Sequence, residues 1–587
     1  MKASKFLRYA LFCLVAVVAF SACKKDEEEP VTPPTPPEDV ASPLCFTALE
    51  DSSTVSMGRK SQEVDFPTLE YSFDGESWLP FVYTDAGDPN GRLVPVVLAK
   101  EGDKLYVRNQ DKTDALSLST DAYVRFHLTG KVAASGNIMS LLNKDFVGMK
   151  AIPGDFAFAG LFLNNEALVT PPSLPATQLS KNCYNTMFGG CINLTQAPKL
   201  PATEMKTACY VAMFQNCKSL QEAPELPATR MAPWCFYVMF SGCASLTQVP
   251  PLPNAPMDSL SCYQMFKDCT SLVTAPALPS TTLAHGCYET MFQGCTALTS
   301  VPELPATRMC IECYAEMFYG CTHLTTVPAL PATELAEGCY AYMFRKCTSL
   351  TRMESALPAS TVEWSSYGGM FWGCTSLTQA PDIKATTLEE SACQCMFRGC
   401  SSLIQAPRID ATTLGVEACC EMFWDCSSLV ELPELPATEM SEGCYRSMFI
   451  YCTSAERAPR LPATTLAKEC YEWMYYGCTN LNYIEVAFDQ WPSSTDSVTF
   501  EWLGEVAEEG TFVCPASLAD ERGISNIPSG WTKTETPLAK GNIASSGTQR
   551  KATSQTRRVR SPKRSYPPMS QERIATHTTP SAALCCR

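Results

Sequence analysis

The sequence predicts a repeat solenoid of α/β rungs, each a short strand plus a short helix, preceded by a small all-β sandwich domain. Three observations carry that expectation. Twelve cysteines from Cys191 to Cys478 recur at a step of 26 residues, broken once by a step of 27 between Cys347 and Cys374. The same frame of apolar residues and prolines surrounds each of them. Ahead of the array, from Pro43 to Lys144, lie short alternating stretches of a different kind. A unit of this size is one supersecondary element that cannot bury its own apolar face, so its copies must stack.

Within a unit, Leu194 to Ala197 is bounded by Pro198 and recurs as Leu220 to Ala223 and Leu298 to Val301. That fits one brief strand per rung, stopped by proline. Met205, Cys209 and Met213 are spaced by four, which puts them on one helical face with Thr203 as N-cap. Stacking then aligns columns of Leu, Met, Cys and Phe about 4.8 Å apart along the axis, with an aromatic column through Tyr184, Tyr210, Phe236, Tyr263, Tyr288, Tyr314 and Tyr340. The solenoid is expected over 151–490, thirteen rungs counting a degenerate first one in which Asn165 and Ala157 stand where later rungs have Cys. A polar outer cap is expected there. Residues 491–532, with Phe500, Trp502, Phe512 and Cys514, are expected to cover the far end.

The N-terminus carries an address. Lys2, Lys5 and Arg8 precede an apolar run from Ala10 to Phe20 that is too short to span a membrane as a mature helix. Phe20, Ser21, Ala22 and Cys23 resemble a bacterial lipobox, which implies a signal peptide over 1–22, cleavage before Cys23 and acylation of that cysteine. Residues 23–42 form an acidic, proline-rich tether, in which Lys25, Asp26 and Glu27 resemble the surface-export signal of Bacteroidetes lipoproteins. In 43–144, Thr68 to Phe73, Leu93 to Leu98, Leu105 to Val107 and Ala122 to Leu128 alternate between Gly and Asp turns, which predicts the sandwich. Residues 533–587 carry 11 Lys+Arg against 2 Asp+Glu and almost no apolar periodicity, the composition of a basic disordered tail. Contact with lipopolysaccharide phosphates, an inert tail and a translated frameshift stay open for it.

Charge and motif content narrow the function. The chain carries a formal charge of -16, and the solenoid 17 Lys+Arg against 31 Asp+Glu, which repels phosphate backbones; no nucleic-acid partner is expected. No phosphate-loop, GxSxG or HExxH pattern appears, and the carboxylates change position from rung to rung, so no catalytic residue, cofactor or metal site is assigned. Of the 32 cysteines, 26 lie between Cys183 and Cys478, and most rungs carry a second one eight residues before the first. Eight is not a zinc spacing. Buried free thiols and within-rung disulfides stay open, although in-register copies on neighbouring rungs have poor disulfide geometry. Variation concentrates beside the strand, where Gln196, Lys199, Glu222, Glu225, Glu303, Gln379, Asp382, Arg408, Glu431, Glu434, Arg457 and Arg460 occupy two fixed offsets. They form the candidate binding face.

The segment Met291, Phe292, Gln293, Gly294, Cys295, Thr296, Ala297, Leu298 resembles the BspA-type leucine-rich repeat surface proteins of Bacteroidetes and related anaerobes. The resemblance implies a leucine-rich-repeat-like solenoid on a lipid-anchored, surface-exposed outer-membrane protein. It also implies partners among host matrix or cell-surface proteins, other bacteria or glycans. Two functions follow as expectations: non-catalytic adhesion or recognition, or glycan capture as an accessory lipoprotein of an outer-membrane nutrient uptake system.

Overall fold

The computed structural model describes residues 40–84, 91–353 and 355–536. Cys23, Lys25, Asp26 and Glu27, with the leader, most of the tether and the tail from 537 onward, lie outside the described residues.

The N-terminal region contains β1 (Leu44–Ala48), β2 (Ser53–Arg59), β3 (Leu69–Ser72), β4 (Leu79–Pro80), β5 (Tyr83–Thr84), β6 (Arg92–Leu93), β7 (Val96–Leu98), β8 (Lys104–Asn109), β9 (Val124–Thr129) and β10 (Val132–Ser135). Alternation makes these strands: in β9, Val124, Phe126 and Leu128 are buried while Arg125 and His127 are less so. Two sheets result. One runs β5-β6-β2-β7 with β9 also paired to β2, and the other runs β11-β10-β1-β8-β3-β4, where β11 (Leu168–Thr170) belongs to the first rung. Pairing within both is antiparallel except where β10 meets β11 in parallel, so the second sheet runs into the repeats.

Among the described residues of 151–490 the rungs hold no helix; the segment read as one is a run of β-turns. In the rung around Phe292, the N–H groups of Cys287, Glu289, Met291, Gln293 and Cys295 each donate to the carbonyl three residues back, at 3.1–3.2 Å. The intervening N–H groups of Tyr288, Thr290, Phe292 and Gly294 donate to Cys313, Ala315, Met317 and Tyr319 of the next rung, at 2.8–3.1 Å. Every second amide therefore closes a turn and every other one bonds the neighbouring rung. The turns closed by Cys287, Met291 and Cys295 have a left-handed third residue, Gly286 (φ 54°), Thr290 (φ 53°) and Gly294 (φ 74°), so that conformation recurs at every fourth position. A type II turn requires that conformation, and Gly, Asn or Asp adopts it at least cost.

A turn spiral of four-residue period buries side chains in pairs. Cys287–Tyr288, Met291–Phe292 and Cys295 join the core cluster, while Glu289 and Gln293–Gly294 are partly exposed between them and Thr290 is a buried polar residue. Over ten residues this pattern satisfies a helical template as well, which is why the spacing of Met205, Cys209 and Met213 suggested a helix. The left-handed triplet recurs fourteen times, from Phe156, Gly160 and Asn164 to Ser497, Glu501 and Glu505, one rung more than the thirteen expected.

The expected strand per rung is also smaller than its sequence suggests. Opposite the turns, single residues pair in parallel from rung to rung, as in Thr274, Ser300, Thr326, Arg352, Gln379, Gln405 and Glu431. Only β12 (Thr361–Val362), β13 (Thr387–Leu388) and β14 (Thr413–Leu414) extend to two residues, and they lie after the Pro-Ala, Lys-Ala or Asp-Ala step rather than at the Leu-Thr step. Proline near each pairing site removes a donor and keeps the ladders short.

Side-chain columns run through the interior. Phe162, Phe188, Phe214, Phe240, Phe266, Phe292, Phe318 and Phe344 stack with centroids 5.4–5.8 Å apart. The tyrosine column holds except at three rungs, where Cys262, Cys393 and Cys419 take the ring's place. Tyr263 is thus one residue out of register with the column assigned to it. It stacks instead on Tyr237 at 4.7 Å, outside the core.

Both ends are closed by protein. The first rung carries no solvated polar cap: Asn165 is buried, donating from Nδ2 to the Phe126 carbonyl at 2.7 Å and accepting from the Leu128 N–H at 3.1 Å. Phe126 stacks on Phe162 and so ends the Phe column. At the other end β15 (Tyr483–Glu485), β16 (Gly510–Cys514) and β17 (Trp531–Glu535) form a parallel sheet beside the fully buried Trp502, which stacks on Tyr471.

Helix and turn spiral make opposite predictions for Gly320, whose φ is 75° and whose added Cβ would meet nothing nearer than the Gly294 nitrogen at 4.0 Å. In a helix interior Gly320→Ala would stabilise by about 1 kcal/mol. Here it is expected to destabilise by about 1–2 kcal/mol, with Gly320→Asn closer to wild type, read as shifts of the urea midpoint. A second prediction concerns the buried hydroxyls of Tyr184, Tyr314 and Tyr340, which have no partner. An unpaired buried hydroxyl costs about 1–3 kcal/mol, so Tyr314→Phe is expected to hold or raise the thermal midpoint; a lower one would show that the hydroxyl is satisfied.

Candidate functional site

All twelve residues of the predicted binding face are exposed. Glu222, Gln379 and Glu431 sit on the single-residue parallel ladder and Arg457 pairs onward to Tyr483, so the first offset is the bridge position itself. Three residues on lie Lys199, Glu225, Glu303, Asp382, Arg408, Glu434 and Arg460. The structure brings a subset together. Gln379, Asp382, Arg408, Glu431 and Glu434, joined by Gln405, line a groove of about 570 Å³ across three rungs, over Ala380, Ala406, Pro407 and Pro433. The Arg408 N–H donates to Asp382 Oδ1 at 2.9 Å, and its Nε donates to Asp410 Oδ1 at 2.6 Å, which holds the guanidinium along the strip. Arg457 lies over the Tyr483 ring at 3.6 Å and Arg460 donates to Glu485 at 3.0 Å, outside the groove. Gln196, Lys199, Glu222, Glu225 and Glu303 do not line it.

The cysteines are a structural set. Those described form no disulfide, and among the described residues no group of three or more His, Cys, Asp or Glu could hold a metal. Each thiol of the main column donates to the Phe carbonyl of the preceding rung, as Cys295 does to Phe266 at 3.1 Å and Cys321 to Phe292 at 3.2 Å. Asn165 makes the same bond to Phe126 with an amide in place of the thiol. The isolated Cys310 and Cys313 diverge: Cys310 donates to the Leu283 carbonyl at 3.2 Å and Cys313 to the Met309 sulfur at 3.7 Å. His285 lies 3.4 Å from Glu312, and His323 bonds the Thr296 carbonyl at 2.7 Å.

A second surface escaped the sequence reading. Two positions before each column Cys, facing away from the core, stand Tyr319, Arg345, Trp372, Arg398, Trp424, Ile450 and Tyr476. Read in register, this column was visible in the sequence. Nearer the middle of the array, Glu289 is pushed up to about 8 by burial, with Glu312 and Glu316 adding to the shift.

Residues 286–430 match the family model of the BspA type leucine rich repeat region, in six copies. The central rungs are a leucine-rich repeat region of that type. No curated protein matches the chain. Among solved structures, the TLR13–ssRNA13 complex aligns with 62% of this chain and 45% of its own at 13% identity and a TM-score of 0.22. A leucine rich cell surface protein of Faecalibacterium prausnitzii aligns with 56% of this chain and 75% of its own at 18% identity and a TM-score of 0.25. An LRR protein of Leptospira interrogans aligns with 65% and 83% at 10% identity and a TM-score of 0.19. This chain therefore spans less than half the length of the first. The repeat assignment rests on the family match and the hydrogen-bond pattern, not on these superpositions.

Burial pushes the thiols of Cys243, Cys295, Cys374 and Cys478 up to about 12 from an ordinary value of 9.0. Between these values the unfolded chain releases thiol protons that the folded chain keeps, so folding stability is expected to be whole below about pH 9 and to fall from there toward 12. Urea midpoints taken across that range, with thiols counted on the denatured unreduced protein, check both the slope and the free state. A flat profile, or few free thiols, would contradict the ladder.

Proposed function

We propose that this protein is a cell-surface lipoprotein that recognises a protein or glycan partner through the strand-side face of its solenoid and performs no catalysis. The groove across the rungs of Gln379, Gln405 and Glu431 carries this reading. It sets carboxylates, amides and a guanidinium along an apolar floor of alanine and proline, as a recognition surface with an apolar floor and a polar rim does. Its polar groups come from positions that the rung leaves free, so the ligand can change without changing the fold. Anchoring follows from acylation of Cys23, and export to the outer face of the outer membrane from Lys25, Asp26 and Glu27. Adhesion to host matrix proteins or to other cells is the role such a face supports.

A binding screen of the mature protein against matrix proteins and glycans tests the reading. Arg408→Glu reverses the central charge of the groove and is expected to weaken the best binder by about tenfold or more, the usual penalty for a displaced charge pair. The thermal midpoint is expected to stay unchanged. Equal binding by this variant would remove the groove from the function. Cys23→Ala is expected to leave the protein out of the membrane fraction, and a variant that stayed there acylated would overturn the anchor.

A further inference from the structure

The outward column two residues before each Cys has an order of its own in the C-terminal half. The Arg345 guanidinium lies 5.4 Å from the Tyr319 ring centroid and 3.9 Å from that of Trp372. Arg398 lies 5.1 Å from Trp372 and 4.2 Å from Trp424. Rings and cations alternate, each guanidinium serving two aromatic faces, and Arg398 is neutralised by Glu421. The next ring is Tyr476, and the position between it and Trp424 should by this rule hold a cation. It holds Ile450, which is buried and carries no charge. The two rings are two ladder steps apart, steps of 5.6 and 5.5 Å on the adjoining Phe column.

That break coincides with a cup of about 260 Å³ lined by Trp424, Ile450, Tyr451, Trp473, Tyr476 and Glu501. Tyr451 and Trp473 are exposed at its mouth. Their neighbours hold the rings in place: Trp473 Nε1 donates to Glu501 at 3.3 Å and the Tyr476 hydroxyl donates to Glu505 at 2.9 Å. Four aromatic rings with one carboxylate at the rim define an aromatic cage, whose negative ring faces attract a cation.

We infer that this cup binds a quaternary ammonium group, of the kind carried by choline, in the place where the column lacks its own cation. The donor count separates this ligand from other cations. A primary ammonium brings three N–H donors and a guanidinium five, all of which need acceptors on desolvation. The cup offers one carboxylate, Glu501, and that group already accepts from Trp473. A quaternary ammonium has no N–H to satisfy and gains from ring contact alone. The carboxylate supplies the countercharge that Glu421 supplies to Arg398 two rungs earlier. The site lies on the turn segments and does not depend on the strand-side groove.

The test is calorimetric titration of the mature protein with choline chloride and with its neutral isostere 3,3-dimethylbutan-1-ol. Saturable choline binding is expected, with the isostere about tenfold weaker or more, the size of a desolvated cation–π contact. Tyr451→Ala and Trp473→Ala are each expected to weaken choline by about tenfold. Ile450→Arg, which restores the alternation with the chain's own cation, is expected to abolish binding while the protein stays folded by circular dichroism. Sedimentation with phosphatidylcholine but not phosphatidylglycerol vesicles would assign the headgroup of a lipid as the source; choline binding without vesicle binding would assign the free compound. The inference is overturned if choline does not saturate, if the isostere binds equally, if lysine or arginine amide binds more tightly than choline, or if folded Ile450→Arg binds choline as wild type does.

Discussion

Every second amide of the turn segment bonds the next rung, and the rest of the solenoid depends on that alternation. The amides between them close β-turns, so this stretch of backbone satisfies its own donors without a helix and without a continuous sheet. Because successive inter-rung bonds along one turn segment keep a single separation, 25 residues for most rungs, a residue cannot be added there without breaking several bonds. The single 27-residue step obeys this constraint. Arg352 pairs with Gln379 and Leu357 with Ile383, so the extra residue falls between Arg352 and Leu357, on the side away from the turn spiral.

Fixed register is what lets identical side chains stack on their own copies. The Phe rings lie nearly parallel, within about 10° of one another through most of the array, and the inward pairs of each turn leave no freedom to repack one rung alone. The thiol ladder fits the same logic. Each Phe carbonyl accepts the amide that closes its turn and uses its second lone pair on the thiol of the following rung. Cysteine is short enough to sit in the packed column and still carries a donor. The array ends where the donor is supplied differently: Asn165 reaches the carbonyl of Phe126 in the N-terminal sheet, which turns that region into the cap of the Phe column.

The architecture was legible because period is a robust signal and needs no knowledge of local conformation. The stacking and the inward Phe and Cys columns follow from spacing alone, whereas the last rung lacks the column Cys and the thiol state was left open by spacing. The helix did not, because inward pairs every four residues satisfy a helical face and a turn spiral equally over ten residues. The discriminating signal was present in the residue before each column Cys: Gly190, Asn216, Gly242, Asp268, Gly294 and Gly320 are the types that tolerate left-handed backbone. One such residue can cap a helix; the others, as at Thr186 or at Ala208 and Ala212, cannot be read from type. Tyr263 misled for a simpler reason, since it neighbours the column position that Cys262 occupies.

Recognition surfaces follow from what the register leaves unconstrained. Inward columns admit little change, whereas the outward pairs and the residues beside each bridge vary at no cost to the stack. On the strand side that freedom yields polar groups of both signs, spread along the whole array and gathered into a groove over only three rungs. On the turn side it yields the alternating rings and guanidinium groups of the C-terminal half, where each is placed by its neighbours one rung away. In a ladder of this kind a substitution at one rung is felt as a missing partner by the rungs on either side, so Ile450 leaves two ring faces without the cation that the column otherwise supplies. A solenoid thus builds a discrete site from a repeating surface by interrupting its own rule once.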